Sequence, residues 1–118
     1  MKIIKMNEVP KNPVATSLFT GPVTSQPLLH DSKELRMSIV NFGKGVKNKF
    51  HRHEGDQVLI ITAGKGIVAT EKEEKLVTVG EVVLFPAGEK HWHGATKDSE
   101  FSHITVTRAG GKTTQLED

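Results

Sequence analysis

The stretch His51-Arg52-His53-Glu54-Gly55-Asp56-Gln57-Val58-Leu59-Ile60-Ile61-Thr62-Ala63-Gly64 sets two histidines at i and i+2 and then enters an apolar run rich in β-branched residues. On a β-strand, residues i and i+2 point to one face, so both imidazoles would aim the same way. About 40 residues further on, His91-Trp92-His93 repeats the pattern, and the two tripeptides hold four of the six histidines. Two such strands facing each other would gather up to four imidazoles, and neutral imidazole is the commonest protein ligand for transition metals. Surface histidines on a polar strand are the competing reading.

Outward from this stretch the pattern is that of short strands and turns. Leu35–Phe42 alternates and is followed by the turn Gly43-Lys44-Gly45. Lys47–His53 reads as a polar strand and Gln57–Thr62 as a buried one, with a turn at Ala63-Gly64-Lys65-Gly66. Ile67–Thr70, Leu76–Val79, Val82–Phe85, His91–Ala95 and Phe101–Arg108 complete the strands, with Pro86-Ala87-Gly88-Glu89 as a turn between two of them. Glu71–Lys75 reads as an exposed hairpin end. Residues 1–34, punctuated by Pro10, Pro13, Pro22 and Pro27, exclude helix and suit an arm with edge strands. Residues 109–118 form a polar tail. Strands at this spacing with glycine-bearing turns predict an all-β sandwich or barrel, and no helical apolar stripe competes.

Composition narrows the chemistry. The 118 residues read as one domain, and there is no cysteine, so a metal here must use nitrogen and oxygen donors. No run approaches the roughly 20 apolar residues of a membrane span. Asn7 and Glu8 stand where a leader would need its apolar segment, so a cytoplasmic protein is the expectation. Net charge is +2, and the cluster Lys44, Lys47, Lys49 and Arg52 has no tyrosine in the chain to supply stacking platforms. Nucleic-acid binding is therefore not expected, and the cluster reads as a solvated basic edge.

Two longer strings carry a family resemblance. Gly45-x5-His51-x-His53-x3-Gln57-x6-Gly64 and Gly80-x5-Pro86-x-Gly88-x2-His91 resemble the two motifs of the cupin superfamily, in order and separated by residues 65–79. The match covers about residues 35–108. It implies a double-stranded β-helix, the jelly-roll barrel of two antiparallel sheets, with a divalent transition metal at its centre. By that resemblance the ligands are His51, His53, Gln57 and His91. Gln57 stands where the family more often has an acidic residue, and Ala95 replaces the usual asparagine of the second motif. Glu54 or Asp56 remain alternative oxygen donors if the loop is shaped differently.

A glutamine at this position has a physical consequence. Three imidazoles and a carboxamide oxygen leave a divalent ion with its full formal charge, making it a stronger Lewis acid but a more weakly held one. Phe19-Thr20-Gly21, Gln57–Gly64, Gly88–Ala95 and Ser102-His103-Ile104 further resemble a group of compact bacterial manganese cupins, some described as hydroxynitrile lyases. The resemblance implies manganese first, with iron, zinc, nickel and cobalt as alternatives, and His93 and His103 as additional cavity histidines. On the last strand Phe101, His103, Thr105 and Thr107 share a face, so an inward His103 could act as general acid or base near neutral pH. Trp92, between two inward histidines, points away from the cavity, and His30 reads as a surface residue.

The expected function is a mononuclear metal-dependent enzyme with lyase-type chemistry on a small-molecule substrate, one version being cyanohydrin cleavage. A dioxygenase or a non-catalytic ligand-binding sensor are the alternatives. Met37, Ile39, Phe50, Leu59 and Phe101 are candidate lining residues for a small, mostly apolar substrate, and a homodimer is the family expectation.

Overall fold

A computed structural model describes residues 1–118 as ten antiparallel strands and one 3₁₀ turn at Met6–Glu8. The strands are β1 (Asn12–Pro13), β2 (Val23–Leu29), β3 (Leu35–Phe42), β4 (His51–His53), β5 (Gln57–Thr70), β6 (Glu74–Thr78), β7 (Val82–Phe85), β8 (His91–Ala95), β9 (Phe101–Arg108) and β10 (Thr113–Gln115). They lie in the order β1-β2-β3-β9-β5-β8-β4-β10, with β6 and β7 also on β5, and curl into the jelly-roll barrel predicted. No helix is long and apolar enough to cross a membrane.

One strand belongs to both halves of the barrel. The first part of β5 pairs with β7 and β9, and its second part with β6 and β8. The turn predicted at Ala63–Gly66 is therefore a bend within a 14-residue strand, with the register against β9 slipping between Ile61 and Ala63. Two glycines make the bend possible. Gly64 has φ +70°, and a side chain there would strike the Glu100 carbonyl; one at Gly66 would strike the Phe101 ring. Glycine marks a close approach here instead of a reversal.

Register sorts the residues facing the barrel interior into layers. Val23, Phe42 and Phe101 are cross-strand partners and fully buried, forming the floor. The next layer contains Val40 and His103, which pair with each other, and Ile61, which pairs with His103. Above it lie Ser38, Thr105 and Leu59, and at the mouth Arg36 pairs with Thr107. The apolar core of Val23, Phe42, Val46, Leu59, Ile61, Val77, Phe85, Ala95 and Phe101 fills the closed end and reaches up to Phe85, which stacks on His91 at 3.9 Å, leaving the mouth polar.

The two terminal segments differ from their sequence reading in how firmly they are tied in. β2 includes Pro27 opposite Ser38, in a part of the strand that β1 does not reach, so its missing N–H breaks no ladder. Ahead of β1, Val9 O accepts from Gln26 Nε2 at 2.8 Å, which ties the arm down within itself. The polar tail contributes β10, which pairs with β4 along Thr113↔His53, Thr114↔Arg52 and Gln115↔His51. Lys47–Phe50, read as part of a strand, makes only isolated bridges, and the regular strand begins at His51.

Candidate functional site

β4 and β8 meet at a single register pair, His51↔His91, which sets one residue of each His-x-His tripeptide face to face. The ring centroids of His51, His53 and His91 are 4.3–5.3 Å apart. His51 and His91 are both 1% exposed. Each is oriented by the same local device. His51 Nδ1 lies 2.6 Å from Lys49 O and His91 Nδ1 lies 2.8 Å from Glu89 O. A carbonyl only accepts, so both Nδ1 atoms carry the proton and both Nε2 atoms present a lone pair.

Gln57, at the start of β5, completes this arrangement. Its Nε2 donates to Thr105 Oγ1 at 2.8 Å, which turns Oε1 toward His91 Nε2 at 3.1 Å. Two lone pairs therefore face each other at hydrogen-bond distance with no proton between them. A shared cation relieves that arrangement, and the neighbouring His53 Nε2 is likewise buried without a partner. His53 Nδ1 is held by the hydroxyl of Thr113 at 2.8 Å. Thr113 escaped the sequence reading, because only the pairing of the tail with β4 brings it to the ring. Glu54 and Asp56 are committed elsewhere: Glu54 contacts Arg108 at 3.5 Å and accepts from Lys112 N, while Asp56 accepts from Ala87 N at 2.9 Å.

His93 and His103 lie deeper, behind these rings, and meet edge to face. His93 is 4.8 Å from His103 between centroids, and His103 lies between Phe42 and Phe101 at 5.7 and 5.6 Å. Asn48 fixes His93 by accepting from its backbone N–H at 2.8 Å and placing its own Nδ2 3.2 Å from the ring Nε2. The His93 proton therefore sits on Nδ1, which has no partner, and both ring nitrogens of His103 are also unpartnered. His51, His91 and His93 bring one ligand atom each within 4.8 Å of one another and could hold a metal ion. Two triangles thus share the edge His51–His91, one closed by His53 and the other by His93. Trp92 points away as predicted and stacks under Lys47 Nζ at 4.3 Å.

Burial dominates the electrostatics. It lowers the pKa of His51 to about 4, of His91 to about 3 and of His103 to about 4, and that of His93 well below its ordinary value. His103, expected to titrate near neutrality, is therefore a neutral imidazole there, because the closed end of the barrel offers no solvation to a charge.

The mouth over the rings is not the apolar chamber anticipated. A cavity of about 210 Å³ is lined by His53, Gly55, Asp56, Gln57, Thr105, Thr107, Arg108, Gly111, Lys112 and Thr113, none of them apolar. Leu59 and Phe101 are sealed in the core, Ile39 alternates onto the opposite face from Ser38, and Met37 borders a neighbouring cavity beside Arg36 and Ser38. Phe50 lies under Lys90.

The comparisons with known proteins agree with this architecture. The cupin domain matches residues 38–107. A protein of Granulicella tundricola named (R)-mandelonitrile lyase is 38% identical over 100 residues, covering 80% of this chain and 75% of that one. Among solved structures, a cupin-like protein from Thermotoga maritima superposes with a TM-score of 0.83 at 28% identity, over 100% of this chain and 90% of that one. The polyketide cyclase RemF from Streptomyces resistomycificus superposes with a TM-score of 0.89 over 100% and 87%, but at 14% identity this likeness concerns the fold alone. Motif order, barrel topology and family match converge: the chain is a member of the cupin family.

Proposed function

We propose that this cupin is a mononuclear metal-dependent lyase acting on a small hydroxy or carbonyl compound, with His51, His53, Gln57 and His91 as the metal ligands. The observation that carries the reading is the pair of opposed lone pairs, Gln57 Oε1 and His91 Nε2, 3.1 Å apart. The 38% identical relative named (R)-mandelonitrile lyase supports the reaction class. His53 is preferred over His93 as the third imidazole because the Asn48 contact leaves His93 Nδ1 protonated, whereas the buried Nε2 of His53 is without a partner. The resemblance of the motif residues to compact manganese cupins puts manganese first, and the same donor set of three imidazoles and a carboxamide accommodates iron, zinc, nickel and cobalt.

A divalent ion held there supplies Lewis acidity toward a substrate oxygen. The chain does the rest. The carbonyls of Lys49 and Glu89 and the hydroxyl of Thr113 hold the imidazole rings in orientation, and Thr105 holds the amide of Gln57. His103 takes the proton, since both its ring nitrogens are without a partner and one of them carries a lone pair, whereas the unpartnered Nδ1 of His93 already bears a proton and serves only as donor: a hydroxyl proton leaving the substrate passes to His103 and returns to the departing group. For a cyanohydrin the hydroxyl proton leaves, the C–CN bond breaks, and the aldehyde and hydrogen cyanide depart. We further propose that the chain works in the cytoplasm as a homodimer, the exposed Leu76, Val79, Val82 and Leu84 offering the apolar area for it.

The test is metal-dependent cleavage of mandelonitrile by protein loaded in turn with manganese, iron and zinc, alongside elemental analysis of the purified protein. Turnover above the uncatalysed rate, lost in His103→Ala with metal retained, supports the reading. Equal behaviour of wild type and variant over a panel of hydroxy and carbonyl compounds rejects it in favour of a ligand-binding module.

A further inference from the structure

The cavity over Gln57 and His53 continues into a second one of about 190 Å³ through two shared wall residues, Thr105 and Thr107. Together they form a groove along the inward face of β9, and the chemistry changes steadily along it. Near Gln57 the wall offers hydroxyls: Thr105, whose oxygen already accepts from Gln57 and whose proton is free to donate, and Thr107. Further out, Arg36 sits opposite Thr107 in the β3–β9 register, beside His30 and Ser38.

The charges in this groove are unbalanced. The second cavity has Arg36 in its wall and no carboxylate. The first has Lys112 and Arg108. Its own acidic residue, Asp56, is turned to the Ala87 N–H, and Arg108 is engaged by Glu54. Arg36 and Lys112 have no acidic partner within ion-pair distance. Two uncompensated cations flank a wall of hydroxyl groups, and an arginine fork is matched in geometry to a carboxylate.

We infer that the groove selects a small oxygenated substrate bearing a carboxylate, with the anionic end held by Arg36 and drawn in by Lys112 and the hydroxyl or carbonyl end facing Gln57 and His53. Arg36 is separated from Gln57 by two strand spacings, about 10 Å between backbones, which the two side chains shorten from either end. That sizes the ligand at a few carbons, a short hydroxy or oxo acid. The reading of the far end rests on the function proposed above; the anion end stands on Arg36 and Lys112 alone. A neutral cyanohydrin would fill only the inner half of this groove.

The experiment compares 4-hydroxybutanoate with its amide, 4-hydroxybutanamide, by calorimetric titration of the metal-loaded protein and of the chelator-treated protein. A charge-assisted contact is worth about 1.5 kcal/mol or more, so the anion should bind at least about tenfold more tightly than the amide. The preference should shrink in Arg36→Gln, vanish in Arg36→Gln/Lys112→Gln, and weaken with added salt. Because both cations belong to the chain, the preference should persist without metal. Loss of metal binding with a retained anion preference would sink the lyase reading and leave this one standing. Equal affinity for anion and amide, no measurable binding of the anion, or a preference that survives the double substitution would overturn it.

Discussion

Replacing Thr113 by valine keeps the branching and volume of the side chain and removes only the hydroxyl that lies 2.8 Å from His53 Nδ1. Valine suits a strand at least as well as threonine, and the backbone pairing of β10 with β4 does not involve the side chain, so the fold should survive. The loss falls on the orientation and tautomer of His53. A neutral hydrogen bond contributes about 1 kcal/mol, and removing the partner that orients a ligating imidazole typically weakens metal binding 10–100-fold. With one oxygen lost and the ring still packed against His51 and His91, the lower end applies: about tenfold, or about 1.4 kcal/mol. The assay is competition for the metal with a chromogenic chelator, with Thr113→Ser as the restoring variant and Asn48→Ala as the contrast. If His53 closes the site, the valine variant loses affinity and the serine variant regains it. Unchanged affinity in Thr113→Val, with loss confined to a folded Asn48→Ala, would refute the reasoning and move the third ligand to His93.

Other expectations follow from burial and backbone geometry. In metal-free protein, His103 is held at about 4 by burial against an ordinary 6.5, so the unfolded chain binds a proton that the folded chain refuses. Its stability contribution is complete above about pH 6.5 and is lost as pH falls toward 4, by about 3 kcal/mol in all; urea midpoints that stay constant between about pH 7 and pH 5 would contradict this. His103→Leu should raise or preserve the melting temperature, since it removes two unpartnered buried nitrogens, each costing about 1–3 kcal/mol, while abolishing turnover; a lower melting temperature with turnover kept would be the opposite result. Gly64→Ala should destabilise by on the order of 3 kcal/mol, because φ is +70° and the methyl meets the Glu100 carbonyl, a backbone atom that has no rotamer to escape to; a shift below about 1 kcal/mol in chemical denaturation would show that the bend is softer than described.

Where the sequence could be read and where it could not follows from which forces are local. Leu35–Phe42, His91–Ala95 and Phe101–Arg108 were legible as strands, the first by its approximate alternation and all three by the turn and loop residues that bound them, which are local signals. The i, i+2 argument likewise aimed His91 and His93 into one barrel. Gly64 and Gly66 were misread as a turn because glycine signals a reversal and a close backbone approach with the same letter, and only the Glu100 carbonyl and Phe101 ring across the sheet tell them apart. The tail was invisible as a strand because three residues carry little propensity and its pairing partner lies 60 positions earlier, at His53. The position of His103 on the inward face was legible, but its neutrality was not, since that depends on rings from two other strands, Phe42 of β3 and His93 of β8. The polar lining of the mouth was out of reach for a similar reason: Gln57 and Lys112 are 55 positions apart, and folding alone brings both to one cavity.

The two ways in which these imidazoles are oriented imply different evolutionary freedom. His51 and His91 are steered by the main-chain carbonyls of Lys49 and Glu89, which every amino acid possesses. Positions 49 and 89 can therefore drift through many side chains, so a lineage could retune the charge around the barrel without loosening those two rings. His53 depends instead on one hydroxyl in a three-residue strand near the end of the chain. Substitution at position 113 is thus the easiest single step by which descendants of this protein could relax, exchange or abandon the third imidazole while keeping the barrel intact.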